Sequence, residues 1–566
     1  MNALDWGVLV TTLALFVGYG VWRSRETRDL TGYLVAGRQM PWPMVLLSVM
    51  ATQASAVTFL ATPGQGYVAG LSFLQFYLGL PIAMVVLSAT LVPLYQRLRV
   101  KTAYEFLEMR FDGKTRTLAT ALFLTQRGLA AGITLYAPAL LFSVVLGWDI
   151  RWTCIAMGVL VATYTAIGGS RAVGHTHALQ FCIIMATLGV AFALVMQGLP
   201  GGLGFGDALA VAGREGKLNA LDFEFDPTSR YNVWAGLIGG FFLQMSYFGT
   251  DQSQVGRLLT AKSSRESRLG LLANGLLKVP MQAFILLLGV MVYVGHQFTP
   301  APMFANPAEV TKVSQGAHAE RWHEAERQHA AADVAHGAAL QDWLEARRQG
   351  DAQAEQSAEA ARVRTRADRE AARTSALGAL KDTDPAANTN DTNHRFLVFV
   401  LGAFPAGLIG LMLAAVFAAA MNATSSEIHA LTSTTIVDVV SRIPGLPKSE
   451  EALLTWSKFA ALFWVGFAVL FAENAGRAGS LVEVVNILGS LFYGTILGIF
   501  LSGFFLRRVT GTHVFIGAIV AEVTVLLCWK LTPISFLWYN LVGCVLTMGV
   551  AALLAARRES PTPASV

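Results

Sequence analysis

The stretch LAAVFAAAMNATSSEIHAL, Leu413 to Leu431, starts as apolar as any bilayer-spanning helix and then, with no break in helical propensity, gathers Asn422, Thr424, Ser425, Ser426, Glu427 and His429. A polar or ionisable side chain at membrane depth is costly unless it faces protein or water, so such groups mark pathways more often than they do in soluble cores. Asn422, Ser425, Ser426 and His429 recur at helical spacings and can share one helix face.

The surroundings settle the solvent. The 566 residues are 54% hydrophobic and 14% charged, with mean hydropathy +0.50; a water-soluble domain of this size would then expose an apolar surface. The chain reads as a multi-pass protein of the cell (inner) membrane. Apolar runs long enough to cross a hydrocarbon core of about 30 Å lie near residues 5–22, 42–67, 72–96, 118–146, 151–168, 176–198, 233–255, 270–295, 405–432, 453–472, 481–505, 512–530 and 535–556, thirteen in all.

Lys and Arg in short loops prefer the cytoplasmic side. Here they follow the odd-numbered spans: Arg23, Arg25 and Arg28; Arg97, Arg99 and Lys101; Arg171; Arg257, Lys262, Arg265 and Arg268; Arg442 and Lys448; Arg507 and Arg508; Arg557 and Arg558. This pattern predicts an N-terminus outside and a C-terminus in the cytoplasm, with 559–566 as a cytoplasmic tail. The net charge of +5 belongs to that inner rim and is no nucleic-acid footprint. The first run has neither a basic leader nor a small-residue cleavage site and reads as a retained span. Cys154, Cys182, Cys528 and Cys544 fall inside spans without metal-like spacing and read as buried small hydrophobes.

Between the membrane segments 1–299 and 395–558, residues 300–394 turn polar and Ala-rich. Alternating Ala, Glu, Arg and Gln interrupted by Gly350-Asp351 predicts two long helices folded as an extracytoplasmic hairpin. Such an insertion is either a solvated appendage, a cap on the outer vestibule or a contact for an extracytoplasmic partner.

Two further polar clusters interrupt the spans. ATQASAVTFLATPGQGY, Ala51 to Tyr67, combines small residues, hydroxyls, Gln53 and Pro63-Gly64 in one apolar run, which weakens the helix and frees carbonyls as in transporters whose discontinuous helices coordinate cations. An ordinary kinked helix packed through small residues is the plainer reading. SYFGTDQSQVGRLLTAKS, Ser246 to Ser263, offers Gly249 as a point of unwinding, and Asp251 with Gln252 to bind an ion, cap a helix or, the favoured reading for Asp251, pair with an inner-rim Arg. These two clusters open spans 2–6 and 7–11, blocks of five and hence of opposite orientation, the geometry of an inverted repeat and a pointer to alternating access.

GYLVAGRQMPWPMVLLSVMATQASAVTFL, TAYEFLEMRF, YTAIGGSRAVGHTHALQF, YFGTDQSQVGRLLTAKS and GLMLAAVFAAAMNATSSEIHALTSTTIVD, in this order, resemble the sodium:solute symporter family over essentially everything except 300–394. The resemblance implies an all-α LeuT-type 5+5 inverted repeat with one extra N-terminal and further C-terminal helices. YEFLEMRF followed by LYAPALLF looks most like the branch that carries monocarboxylates, vitamins and iodide.

The resemblance also implies roles. The main sodium site would use carbonyls matching Ala51, Ala54 and Ala419 and two adjacent hydroxyl positions that here read Asn422 and Ala423. Asn supplies a side-chain oxygen and Ala none, so a hard cation loses one ligand. The second sodium site of some members pairs hydroxyls, here Ser425 and Ser426, with an Asp whose position reads His177. Imidazole is a poor sodium ligand, and the second site is expected to be absent. The alternative is proton coupling, with His177 acting beside Glu427 and His429.

Solute-contacting positions map onto Gln53, Thr58, Gln75, Tyr77, Tyr247, Phe248 and Lys278, with Tyr247 matching an inner gate. Lys278 stands out without the family, being about ten residues into a span where snorkelling is difficult. Arg127 is similarly deep, and two cations facing a cavity would favour a carboxylate or sugar acid, unless a buried carboxylate or helix terminus takes them. The glycines of Gly168 to His177 suit a tight cytoplasmic turn better than a phosphate cradle, since no strand precedes them. No nucleophile, base and orienting group recur at catalytic spacing, and no cofactor beyond the coupling ion is implied. The expectation is sodium-coupled symport of a small solute; a membrane-embedded solute sensor is the rival from another class, disfavoured because no kinase-like domain follows span 13.

Overall fold

A computed structural model describes residues 2–24, 38–200, 202–299, 301–446, 449–475 and 479–557, with the side chains at 17, 20–24, 164–176 and 474 excepted. Of the basic rim, Arg23, Arg25, Arg28, Arg171, Lys448 and Arg558 therefore lie outside the described side chains. The described residues form helices and turns with a single isolated bridge, Met40 to Ala261, and nine of the helices are long and apolar enough to cross a membrane.

Span 2 is two helices, α1 (Trp42–Gln53) and α2 (Ala56–Ala69), separated by Ala54 and Ser55. The Ser55 hydroxyl caps α2 by accepting from the Thr58 amide. The interruption falls in the hydroxyl and small-residue stretch; Pro63, which sequence reasoning had weighed as part of the weak point, lies inside α2. Gly64 and Gly66 instead permit close packing, since a Cβ at either would overlap the carbonyl of Thr392 or Leu286.

Span 7 breaks likewise, between α3 (Gly240–Gly249) and α4 (Gln252–Leu258), with Asp251 capping α4 by accepting from the Ser253 amide at 2.8 Å. Here the freed carbonyls are taken by protein: Tyr95 donates to Gly249 O at 2.7 Å and Tyr104 to Thr250 O at 2.9 Å.

Packed against both broken spans is α5 (Leu408–Thr434), buried from Met412 to Thr434. Its first turn is closed by Asp5 from the first span, whose carboxylate accepts from the amides of Gly407 at 2.7 Å and Gly410 at 3.3 Å. That contact explains an acid in an otherwise apolar run.

One expectation is corrected, and another is left aside: the turn expected over Gly168 to His177 falls, save for His177 itself, outside the described side chains. Of the cysteines, only Cys154 and Cys544 are buried, Cys182 being exposed and Cys528 intermediate, because they sit on outward faces of their helices.

The polar insertion is a hairpin of α6 (Ala319–Gln349) and α7 (Ala352–Thr383). Gly350 turns the chain at φ +71° and Asp351 caps α7 through the amides of Gln353 and Ala354. The hairpin is docked on the membrane core. Arg362 pairs with the buried Glu215, Arg348 with Asp207 at 2.6 Å, and Arg369 donates to Gln297 at 2.7 Å. Trp322, Phe304 and Leu380 add a small apolar core at its base.

Candidate functional site

The break in span 2, at Gln53 and Ser55, and the part of α3 ahead of the span 7 break, at Leu243, Gln244 and Tyr247, border a central cavity of about 110 Å³. Gln53, Thr58, Tyr77, Tyr247 and Lys278 line it, joined by Arg127, Glu427 and Tyr493. The break in α1 supplies its polar wall: Gln53 donates through its amide to Asn274 at 2.9 Å, and Thr58 donates its hydroxyl to the Gln53 carbonyl at 2.9 Å. Gln75 and Phe248 stand outside this lining. Gln75 is turned toward the loop above, donating to Tyr231 O at 3.1 Å and accepting from the Asp222 amide at 2.9 Å. Phe248 follows Tyr247 by one residue, about 100° round the helix, and is fully buried against its neighbours.

The two deep cations have different surroundings. Arg127 is neutralised: it pairs with Asp251, donates to Glu427 at 3.0 Å and to the Tyr493 hydroxyl at 2.6 Å, while Tyr493 donates in turn to Asp251 at 2.8 Å. Asp251 is therefore bound by a mid-span arginine rather than one of the inner rim, because the break carries it into the core. Lys278 is 2% exposed, and among the described residues no carboxylate pairs with it. Its ammonium lies 5.8 Å from the centre of the Tyr77 ring, close enough for a cation–π contact.

Beside the cavity a polar chain joins α1, α5 and the long Ile150–Gln197 helix. The Thr52 and Ser426 hydroxyl oxygens are 3.2 Å apart, Ser426 donates to Asn422 O at 2.7 Å, Ser425 reaches the same oxygen at 3.3 Å, and Thr52 donates to Ser48 O at 2.8 Å. His177 contacts the Ser48 hydroxyl at 3.4 Å. The Asn422 side chain is fully buried, and neither its oxygen nor its nitrogen has a hydrogen-bond partner among the described residues; the oxygen is an acceptor that a cation could satisfy, the nitrogen a donor that it could not. The end of α1 leaves carbonyls at Ala51 to Ala54 outside the helical ladder, while Ala423 points a methyl group into the cavity. Among the described residues no three of His, Cys, Asp and Glu converge as metal ligands.

Glu427 does not join His177. It is held on the other side of α5 by Arg127 and by Thr134, which donates to it at 3.3 Å. Residue 427 follows Ser426 by about 100° on the helix, and that rotation separates the two groups that the proton-coupling alternative had placed together.

Next to the lining residue Val482, Glu483 pairs with Arg230 at 2.6 Å and accepts from Tyr231 at 2.8 Å and Gln65 at 3.4 Å, which ties α2 to the loop ahead of span 7 on the hairpin side. Sequence reasoning missed this residue, although an acid at the start of an apolar span was a visible signal. Tyr493 and Thr52 carried no such signal.

A sequence profile of the Sodium:solute symporter family matches residues 33–319 and 380–521, leaving out most of the hairpin. The Sodium/iodide cotransporter of Homo sapiens is 32% identical over 278 residues, 48% of this chain and 42% of that protein. Sodium-coupled monocarboxylate transporter 2 of Bos taurus is 32% identical over 274 residues, 48% and 44% respectively. The chain thus spans less than half the length of the curated relatives it matches. A solved structure of a Na+-coupled sialic acid symporter, substrate-bound and outward-open, superposes with a TM-score of 0.76 over 98% of both chains at 19% identity, which gives the fold.

Proposed function

The chain belongs to the sodium:solute symporter family, and on that premise we propose that it carries a small organic carboxylate together with sodium across the membrane by alternating access. The observation that carries the substrate class is Lys278: a buried ammonium in a central cavity, paired with no carboxylate among the described residues, Glu427 of the same lining being held by Arg127. An unpaired buried charge is expensive, and a bound carboxylate would be its partner while Gln53, Tyr77 and Tyr247 hold the rest of the solute. Arg127, neutralised by two carboxylates, contributes no charge to the solute.

Sodium is favoured over the proton because the unsatisfied Asn422 amide lies on the helix joined to α1 through Thr52 and Ser426, whereas His177 and Glu427 are held apart. Ala51, Ala54, Ala419 and Asn422 are the proposed ligands, one oxygen short at Ala423. The hairpin, on this reading outside the cell, caps the core, to which Arg362, Arg348 and Arg369 tie it through Glu215, Asp207 and Gln297.

Uptake of a labelled monocarboxylate into proteoliposomes, with sodium replaced by choline across a pH series, tests the proposal. Uptake that needs sodium at every pH is expected. Sodium-independent, acid-stimulated uptake would establish proton coupling instead, and solute binding without uptake would establish a sensor.

A further inference from the structure

A second cavity, of about 300 Å³, lies between α7 of the hairpin and the membrane core. Its core wall is made by Tyr67 of α2 and Tyr293 of the Ser264–Gly295 helix. Tyr67 is nine residues beyond Thr58 and Tyr293 fifteen beyond Lys278, which at 1.5 Å per residue puts this cleft roughly 14 to 22 Å from the central cavity.

Five cations line the cleft, Lys217, Arg366, Arg369, Arg373 and Arg395, against three carboxylates, Asp333, Glu370 and Asp391. Three of the cations are committed: Arg369 to Asp333 at 2.9 Å, and Arg373 and Arg395 to Asp391 at 2.9 and 2.7 Å. The remaining two face one exposed acid, Glu370. The Lys217 ammonium makes one hydrogen bond, to Val68 O at 2.6 Å, and lies over the Tyr293 ring at 4.2 Å, which leaves donors free. Arg366 reaches only Glu215, at 3.7 Å, and that carboxylate is already engaged by Arg362 and by Tyr293 at 2.8 Å. Burial and the neighbouring Arg366 depress the Lys217 ammonium to about 8, a cost that a bound anion would relieve.

We propose that this cleft is a binding site for a small oxyanion, a carboxylate or an inorganic phosphate, held between Lys217 and Arg366 and separate from the central cavity. An ammonium and a guanidinium converging from opposite walls suit an oxyanion, the guanidinium offering two parallel donors. The site exists only because the hairpin docks on the core, and it stands whatever the central cavity carries.

Phenylglyoxal labelling of the full chain in nanodiscs, read arginine by arginine by mass spectrometry, tests it. Pyruvate or phosphate is expected to slow modification of Arg366 several-fold and to leave the exposed Arg364 on the same helix unchanged. Lys217→Gln should remove the protection, Lys217→Arg should keep it, and Lys278→Gln in the central cavity should not affect it. Protection by pyruvate alone identifies a carboxylate site, and protection by phosphate as well identifies a general oxyanion site. Arg366 labelling indifferent to both anions, or protection that survives Lys217→Gln, overturns the proposal.

Discussion

Arg127 and Asp251 form an ion pair whose side chains are 3% and 0% exposed, at the point where span 7 breaks. Removing one partner of such a pair strands a buried charge and costs about 3–5 kcal/mol. Arg127→Met strands Asp251 and Glu427 together and is expected to lower thermal stability sharply. Adding Asp251→Asn and Glu427→Gln should recover much of the loss. A single variant as stable as the parent would show that the break is held by other contacts.

Lys278→Gln is expected to weaken carboxylate binding by on the order of 2 kcal/mol or more, about thirtyfold in affinity, while leaving stability intact or improved. Calorimetry on the purified protein measures it. Unchanged affinity would remove Lys278 from the site.

Ala423→Ser returns the hydroxyl that the sodium position lacks. One added oxygen ligand is expected to lower the half-saturating sodium concentration by roughly fivefold, about 1 kcal/mol. Asn422→Ala should raise it, and sodium titration of uptake separates the two.

Docking of the hairpin is expected to depend on pH through Glu215. Burial alone would raise its carboxyl, but His336, Tyr293 and Arg362 outweigh burial and hold it at about 2 rather than 4.5. A depressed carboxyl stabilises the folded state only while ionised, so the contribution is complete above about 4.5 and disappears as pH falls toward about 2. The shift is worth on the order of 3 kcal/mol. Hydrogen exchange in α6 and α7 should quicken over that window, and Glu215→Gln should show the fast exchange at neutral pH.

Glu483→Gln removes the charge that Arg230 and Tyr231 share on the hairpin side and is expected to loosen the loop ahead of span 7 from α2. Thiol labelling of Thr58→Cys from that side is expected to accelerate several-fold in the variant. Equal rates would place the barrier elsewhere.

Much of this architecture was legible in the residues. Continuous apolar runs report membrane spans because lipid offers the backbone no hydrogen bonds, and Gly350-Asp351 marked the hairpin turn because both residue types have local backbone preferences. The break in span 2 was legible as a region and not as a position: Pro63 is the stronger local signal, yet the interruption came at Ala54 and Ser55, where hydroxyls offer alternative partners for the backbone.

Sequence alone marked polar atoms at membrane depth in three places, since span length and spacing are properties of the chain itself. Which charges are free was decided only by the tertiary structure. Arg127 and Lys278 look alike in sequence, and their difference depends on Asp251 and Glu427, 124 and 300 positions from Arg127 along the chain. Electrostatic pairing acts through space over a few ångströms, and only folding sets those distances.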